Sequence, residues 1–128
     1  MQRVLLDTQV LLWWLANDPQ LGNRCKELIS DNRNQVFVSA ATTWEISIKT
    51  ALGKLSAPED MDSIVDDEGF DKLPISLYHG QLAGRLPPLH RDPFDRMLIA
   101  QAQTEGLILI TADEMINRYN IRTRDPRA

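Results

Sequence analysis

The chain has 128 residues, of which 43% are hydrophobic and 25% are charged, and this balance excludes a disordered chain. The formal net charge of −4 argues against a general clamp on nucleic-acid backbones, unless bound cations offset the acids. The single cysteine, Cys25, excludes an internal disulfide and fits a reducing cytosol. No apolar run approaches the roughly 20 residues of a membrane span. We therefore expect one domain over residues 1–128, in the cytoplasm and without a membrane partner.

Short apolar strands alternate with helices along the whole chain. The first apolar run, Val4-Leu5-Leu6, predicts a strand buried on both faces, and it leads into an apolar helix. In chain order, strands are expected at residues 4–6, 36–38, 70–75, 107–110 and 121–123. Helices are expected at residues 9–15, 20–30, 40–52, 58–67, 76–86 and 92–105, with a short helix before the last strand. This alternation is typical of βα units and a mainly parallel sheet.

Glycine and proline residues predict several helix boundaries. Gly53 and Gly106 are expected to end the helices that precede them, because glycine readily adopts the left-handed conformation of a helix end. Pro58 is expected at the first position of a short acidic helix. Asp92 is expected to be the N-cap of the helix over 92–105, with Pro93 at its first position.

Four acidic residues are predicted to meet at one edge of the sheet. Asp7 and Asp113 follow apolar strands, whereas Glu45 and Asp95 lie early in helices that rise from the same edge. The carboxyl ends of parallel strands share one edge, and ligands bind there. Each acid also has a local explanation that involves no ligand. These explanations are a helix cap at Asp7 or Thr8, an ion pair of Glu45 with Lys49, a favourable first-turn position for Asp95, and a capping box of Thr111 with Glu114 around Asp113.

A hard divalent cation would resolve the repulsion among clustered carboxylates by taking their oxygens as ligands. Mg²⁺ or Mn²⁺ suits such a site, whereas zinc prefers His or Cys. His79 and His90 are not at ligand spacing, so we expect a helix role for His79 and a loop role for His90. Asp95 is the expected ligand rather than Asp92, because an N-cap carboxylate already accepts backbone hydrogen bonds. The site would suit phosphodiester hydrolysis, since a cation activates water and stabilises the leaving oxygen.

Five segments of the sequence contain these acids or lie close to them. They are Leu5-Leu6-Asp7-Thr8 with the apolar run to Leu15, Ser39 with Trp44-Glu45-Ile46, His90-Arg91-Asp92-Pro93-Phe94-Asp95-Arg96, Leu98-Ile99-Ala100, and Leu109-Ile110-Thr111-Ala112-Asp113. With these segments the chain resembles the PIN-domain family, in particular the VapC-type ribonuclease toxins of bacterial toxin–antitoxin pairs. The resemblance covers nearly the whole chain.

The resemblance implies a fold, an activity and a site. The fold is a three-layer α/β/α sandwich with a mainly parallel sheet of about five strands. The activity is Mg²⁺- or Mn²⁺-dependent endonuclease cleavage of RNA. The implied catalytic and metal-binding acids are Asp7, Glu45, Asp95 and Asp113, with Thr111 orienting an acid or a water. Asp92, Thr8 and Ser39 are expected beside these ligands.

The resemblance also implies protein partners. We expect an antitoxin, and a homodimer or a toxin–antitoxin hetero-oligomer. The antitoxin is expected to pack a helix in an apolar groove and to bring an Arg or Lys to the acids, because the chain offers the cleft no obvious cation of its own.

Other interpretations of the sequence have less support from its residues. A phosphoacceptor receiver domain would need paired acids after the first strand, and a haloacid-dehalogenase-type phosphatase would need Asp-x-Asp where this chain has Asp7-Thr8-Gln9. The stronger alternative is a catalytically inactive PIN-like module that only binds a partner. The complete set of acids favours the enzyme.

Overall fold

A computed structural model describes all 128 residues, Met1 to Ala128. Its single sheet contains five strands, β1 (Arg3–Leu6), β2 (Gln35–Ser39), β3 (Asp71–Leu73), β4 (Ile108–Ile110) and β5 (Thr123–Arg124). The strands lie in the order β3-β2-β1-β4-β5, and every neighbouring pair is parallel. The predicted α/β fold with a parallel sheet of about five strands is therefore confirmed.

Six α-helices connect and cover these strands. They are α1 (Thr8–Leu15), α2 (Asn23–Ser30), α3 (Ala40–Ala51), α4 (Met61–Asp67), α5 (Leu77–Arg85) and α6 (Pro93–Glu105), and a 3₁₀ turn follows at Ile116–Arg118. None of these helices combines the length and the apolarity that crossing a lipid bilayer requires.

Both faces of the sheet are buried, as the continuous apolar run of β1 predicts. Val4 and Leu6 belong to a core that includes side chains of α1, α2 and α4, whereas Leu5 belongs to a second core with α5 and α6. Successive residues of a strand point to opposite faces, so an apolar residue at every position of β1 requires a helical layer on each side. Helix α3 contributes Ile46 to the first core and Ala41 to the second. This arrangement is the expected three-layer sandwich.

The strand order creates a crevice between β1 and β4. The chain moves from β1 outward through β2 to β3, and then returns to place β4 on the other side of β1. Helices that leave two such strands lie on opposite faces of the sheet, so a cleft opens at their carboxyl ends. Leu6 is in register with Ile110, and the backbone N–H of Asp7 donates to the Ile110 carbonyl at 3.1 Å. The residues that follow these two strands are therefore neighbours.

The predicted starts of two helices are wrong. The acidic helix α4 begins at Met61 and not at Pro58, because Asp60 is its N-cap and accepts a hydrogen bond from the backbone N–H of Ser63 at 3.1 Å. Helix α2 and strand β5 also begin later than predicted, and β3 is shorter. These are the elements with the weakest apolar patterns.

The start of α6 has the predicted arrangement. Asp92 is the N-cap, and Pro93 follows it at the first helical position. The Asp92 carboxylate accepts from the backbone N–H groups of Phe94 at 2.8 Å and Asp95 at 3.2 Å. Gly106 ends the helix in the left-handed conformation, with φ of 68°.

This geometry predicts how substitutions at Asp92 affect stability. Asp92→Ala removes the acceptor for two backbone N–H groups and should lower the free energy of unfolding by about 0.5–2 kcal/mol. Asp92→Asn should have little effect, because Asn caps a helix about as well as Asp. Urea denaturation of the two variants and the wild type measures the difference. Equal destabilisation by Ala and Asn would show that the negative charge matters and not the cap.

Candidate active site

A cleft of about 550 Å³ opens at the carboxyl ends of β1 and β4. The first turns of α1 and α6 and one face of α3 complete its walls. Charged side chains dominate its lining, namely Asp7, Glu45, Asp92, Asp95, Asp113, Lys49 and Lys54. The four acids expected from the sequence therefore lie in one cleft, together with Asp92.

Asp7 is buried at the start of α1, with 7% of its surface exposed. Its carboxylate accepts a hydrogen bond from the backbone N–H of Val10 at 2.8 Å and another from the Thr111 hydroxyl. Burial raises the pKa of Asp7 to about 6, although these two hydrogen bonds act in the opposite direction. Asp7 is thus both the N-cap of α1 and a buried acid of the cleft.

Asp95 lies in the first turn of α6 and is also largely buried. Burial and then the charge of Asp92 raise the pKa of Asp95 to about 7, and the charges of Asp7 and Asp113 add to this effect. Asp92 differs from Asp95, because its Oδ1 atom is already bonded to two backbone N–H groups. The two acids of this segment therefore have different environments.

Glu45 is buried in α3 with 6% of its surface exposed, and each of its carboxylate oxygens has a partner. Oε1 accepts a hydrogen bond from the Thr8 hydroxyl at 2.6 Å, and Oε2 lies 2.6 Å from the Lys49 Nζ atom. This hydrogen bond from Lys49 to Glu45 raises the pKa of the Lys49 ammonium. Glu45 therefore forms the predicted ion pair and faces the cleft as well.

The expectation that the cleft has no cation of its own is wrong. Lys49 and Lys54 both line it. Lys49 is one turn after Glu45 on α3, and this spacing brings its ammonium back to the carboxylate. Lys54 lies in the loop after α3, directly after Gly53, which has the left-handed φ of 72°.

Thr111 links the ends of β1 and β4. Its hydroxyl is bonded to the Asp7 carboxylate, and its Oγ1 atom accepts from the backbone N–H of Asp113 at 3.1 Å. The alternative of a capping box with Glu114 is wrong, because Asp113 itself bonds the next turn, accepting from the Met115 N–H at 2.9 Å.

His90 contacts two of the acids, which the sequence analysis did not anticipate. Its Nε2 atom lies 2.8 Å from Oδ2 of Asp113 and 3.0 Å from Oδ2 of Asp95. The only local signal was its position two residues before the N-cap Asp92. Because Asp113 is 23 residues away, the contact depends on how α6 and β4 pack.

Two other residues considered from the sequence lie away from the cleft. Ser39 is fully buried, caps α3 through the backbone N–H of Ala41, and donates to the Gln101 side chain at 2.5 Å. It is not among the residues that line the cleft. His79 is buried in the first turn of α5, where it completes a capping box with Ser76, so its expected helix role is confirmed.

Comparison with known proteins assigns the family. Residues 4–121 match the family model of the PIN domain. The chain belongs to the PIN-domain family. Over 65 residues this PIN domain is 38% identical to ribonuclease VapC16 of Mycobacterium tuberculosis, and the match spans 49% of this chain and 46% of that protein. The chain is thus matched over about half the length of that relative.

Solved structures with this fold resemble the PIN domain over nearly its whole length. VapBC2 from Rickettsia felis, bound to a promoter DNA fragment, matches with a TM-score of 0.68 at 16% identity, covering 96% of this chain and 98% of the other. DNA-bound VapBC from Salmonella typhimurium matches with a TM-score of 0.67 at 20% identity, covering 98% of both chains. At these identities the similarity is one of fold.

The side chains of this PIN domain fit a hard divalent cation. The cleft offers carboxylate oxygens from separate elements and no thiolate. A carboxylate oxygen of Asp95 and one of Asp113 lie within 4.8 Å of each other. Buried carboxylates with raised pKa values are groups that a positive charge would stabilise. Oxygen ligands of this kind suit Mg²⁺ or Mn²⁺ better than zinc.

The raised pKa values predict how the metal-free protein responds to pH. Asp7 and Asp95 bind their protons more tightly in the folded state than in the unfolded state, where their pKa is 3.8. Their contribution to the free energy of unfolding is therefore fully present below pH 3.8 and is lost as the pH rises through about 6 to about 7. Asp7→Asn should raise this free energy at pH 8 by about 1–3 kcal/mol and flatten its pH dependence.

Urea denaturation in EDTA at pH 5 and pH 8 measures this effect. Asp67→Asn, an exposed carboxylate at the end of α4, is the matched control and should leave the pH dependence unchanged. A lower stability of Asp7→Asn than of the wild type at pH 8 would contradict the burial argument.

Proposed function

We propose that this PIN domain is an endoribonuclease that depends on Mg²⁺ or Mn²⁺ and acts as the toxin of a toxin–antitoxin pair. The observation that carries the proposal is the convergence of Asp7, Glu45, Asp95 and Asp113 in one cleft at the switch point of the sheet. The relative named ribonuclease VapC16 and the similarity to VapBC structures support it. The proposed substrate is RNA, and the proposed location of the protein is the cytoplasm.

The four acids would hold the cation, with Asp95 rather than Asp92 as the ligand of the α6 segment. When bound, the cation activates water and stabilises charge on the leaving oxygen of the phosphodiester. Thr8 and Thr111 bond the carboxylates of Glu45 and Asp7 and so orient them. These hydrogen bonds hold acids from separate elements in a fixed arrangement, which is what a metal site requires.

Lys49 and Lys54 give the cleft a second function, the attraction of the RNA backbone. Their ammonium groups lie at the cleft that also holds the acids. A cation next to a carboxylate site compensates for the acidity that would otherwise repel phosphate. The two ammonium groups reduce the negative charge that five carboxylates give the cleft, and a bound cation would reduce it further.

The proposed chemistry predicts different outcomes for the two acids of α6. Asp7→Asn and Asp95→Asn each keep the side-chain shape and remove a ligand charge, so both should lose RNA cleavage while staying folded. Asp92→Asn should retain cleavage, because Asn preserves the cap and Asp92 is not a proposed ligand. Cleavage of a labelled RNA with Mg²⁺, with Mn²⁺ and with excess EDTA measures these outcomes.

Each contrary result has a definite meaning. RNA cleavage by Asp7→Asn, or by the wild type in excess EDTA, would rule out the cation-dependent site. Loss of activity in Asp92→Asn with normal cleavage by Asp95→Asn would reverse the roles of the two acids. A wild-type protein that binds Mn²⁺ and its partner but cleaves no RNA would favour the alternative, a catalytically inactive partner-binding module.

An apolar groove beside the cleft is our proposed antitoxin site. This groove, of about 450 Å³, shares Gln9, Leu12 and Leu55 with the cleft. Leu15 and Ala57 extend its apolar lining. A helix packed along the groove would end near the acids, where an Arg side chain would bond a carboxylate through two N–H groups. The proposed antitoxin therefore contacts both surfaces at once.

The groove predicts a partner-binding defect. Leu55→Asp places a charge in the apolar groove and should prevent co-purification with the proposed antitoxin, which we expect to be a small protein encoded by a neighbouring gene. Trp44→Asp is the matched control, since Trp44 is 61% exposed and lines a different surface with Phe94. Co-expression and affinity purification measure the effect. Loss of binding in Trp44→Asp alone would assign the partner to that other surface, and no association at micromolar concentration would refute the pairing.

The proposed function also includes self-association or assembly with the antitoxin. We propose a homodimer, or a hetero-oligomer with the antitoxin. Exposed apolar side chains on α5, Leu77 and Tyr78, supply surface for self-association. Sedimentation analysis of the protein with and without its partner measures the assembly.

A further inference from the structure

We propose that His90 is a positioning residue of the proposed nuclease site, whose Nε2–H group holds Asp95 and Asp113 together and does not itself bind the metal. The inference rests on the proposed function for the role of the two acids. It concerns a side chain that the sequence pattern indicated only as part of a loop.

The hydrogen bonds of His90 determine the position of its ring proton. The Nδ1 atom of His90 accepts a hydrogen bond from the backbone N–H of Asp92 at 3.2 Å. An acceptor nitrogen carries no proton, so the proton of the neutral ring is on Nε2. That Nε2–H group donates to Oδ2 of Asp113 at 2.8 Å, and the same Nε2 atom lies 3.0 Å from Oδ2 of Asp95. One N–H group therefore lies between two carboxylates, as a hydrogen-bond donor to Asp113 and as the positive end of a dipole beside Asp95.

The hydrogen bond at Nδ1 also excludes the His90 ring as a metal ligand. To bind a cation, Nε2 would need its lone pair free, and the proton would move to Nδ1. Nδ1–H would then face the N–H of Asp92, placing two donors 3.2 Å apart. Asp92 cannot easily turn away, because its own carboxylate caps α6 through Phe94 and Asp95. The start of the helix thus determines the tautomer of His90.

The segment that carries His90 is held by hydrogen bonds to its backbone. Its backbone N–H donates to the Tyr119 hydroxyl at 2.8 Å, and that hydroxyl donates to the Pro87 carbonyl at 2.6 Å. Its carbonyl accepts from the Arg96 guanidinium at 3.2 Å. Arg96 also donates to the carbonyls of Pro87, Ala83 and Leu86. The backbone N–H and carbonyl of His90 are therefore both bonded, which fixes the point on the main chain from which the ring reaches Asp95 and Asp113.

The consequence concerns two acids that lie on separate elements. Asp95 belongs to α6, whereas Asp113 follows β4, and no backbone bond joins them. Like charges at this distance repel, and an N–H group between them favours the arrangement in which both Oδ2 atoms are turned toward one point. Partners of this kind, which orient metal ligands without binding the metal, typically change metal affinity by about 10–100-fold when removed.

Two variants of His90 each keep one of the two hydrogen-bonding groups of the ring, the donor at Nε2 or the acceptor at Nδ1. His90→Gln keeps a donor at the position of Nε2, and His90→Asn keeps only an acceptor at the position of Nδ1. We expect His90→Ala and His90→Asn to weaken Mn²⁺ binding by about 10–100-fold, and His90→Gln to retain most of it. Arg91→Ala, an exposed neighbour in the same loop, is the control for general loop damage and should bind Mn²⁺ normally. Electron paramagnetic resonance of free Mn²⁺ gives the affinities without RNA.

A second measurement reads the tautomer directly in the metal-free protein. The chain has two histidines, so a long-range ¹H–¹⁵N correlation spectrum of the wild type and His90→Gln assigns the His90 ring. A proton on Nε2 and none on Nδ1 supports the proposal, and a proton on Nδ1 overturns it. It is also overturned if His90→Gln binds Mn²⁺ as weakly as His90→Ala, or if His90→Ala binds it as tightly as the wild type. These readouts involve no RNA, so a failure of the proposed ribonuclease activity is seen separately, as absence of cleavage by the wild type.

Discussion

Repulsion among buried carboxylates is the physical constraint on which the organisation of the cleft depends. The parallel register of β1 with β4 makes neighbours of the segments that follow Leu6 and Ile110, and both segments carry acids. The pKa values of Asp7 and Asp95, about 6 and about 7, express the free energy of holding these negative charges out of water. The surrounding structure compensates in part, with donors supplied by hydroxyls, an ammonium, an imidazole and helix N-termini. A divalent cation is the group that would complete this compensation.

Helix capping and the arrangement of the cleft use the same hydrogen bonds. Asp7 caps α1 and lines the cleft, and Asp92 does both at the start of α6. Glu45 likewise pairs with Lys49 and still faces the other acids. A local explanation for an acid therefore does not exclude a shared site. Because parallel strands begin their following helices at one sheet edge, capping residues of neighbouring units are brought together.

The accuracy of the sequence predictions follows the strength of the local signal. Strand β1 is apolar at successive positions and α6 has both a proline start and a glycine end, and each lies where expected. The start of α4 was misplaced because Pro58 and Asp60 are both suitable near a helix start, and only the bond from Ser63 distinguishes them. The convergence of the four acids could be anticipated because Asp7 and Asp113 follow strands, and Glu45 and Asp95 lie in helices predicted to begin at the same edge of the sheet.

The sequence by itself determined the alternation of strands and helices, the burial of β1 on both faces and the placement of acids at the strand ends. These features follow from side-chain periodicity and capping chemistry, which act within a few residues. Only the tertiary structure decided that His90 contacts Asp113, that Ser39 is bonded to Gln101 away from the cleft, and that Lys49 and Lys54 line it. Such contacts depend on strand order and on the direction of each side chain after packing, and no periodicity within the chain encodes either.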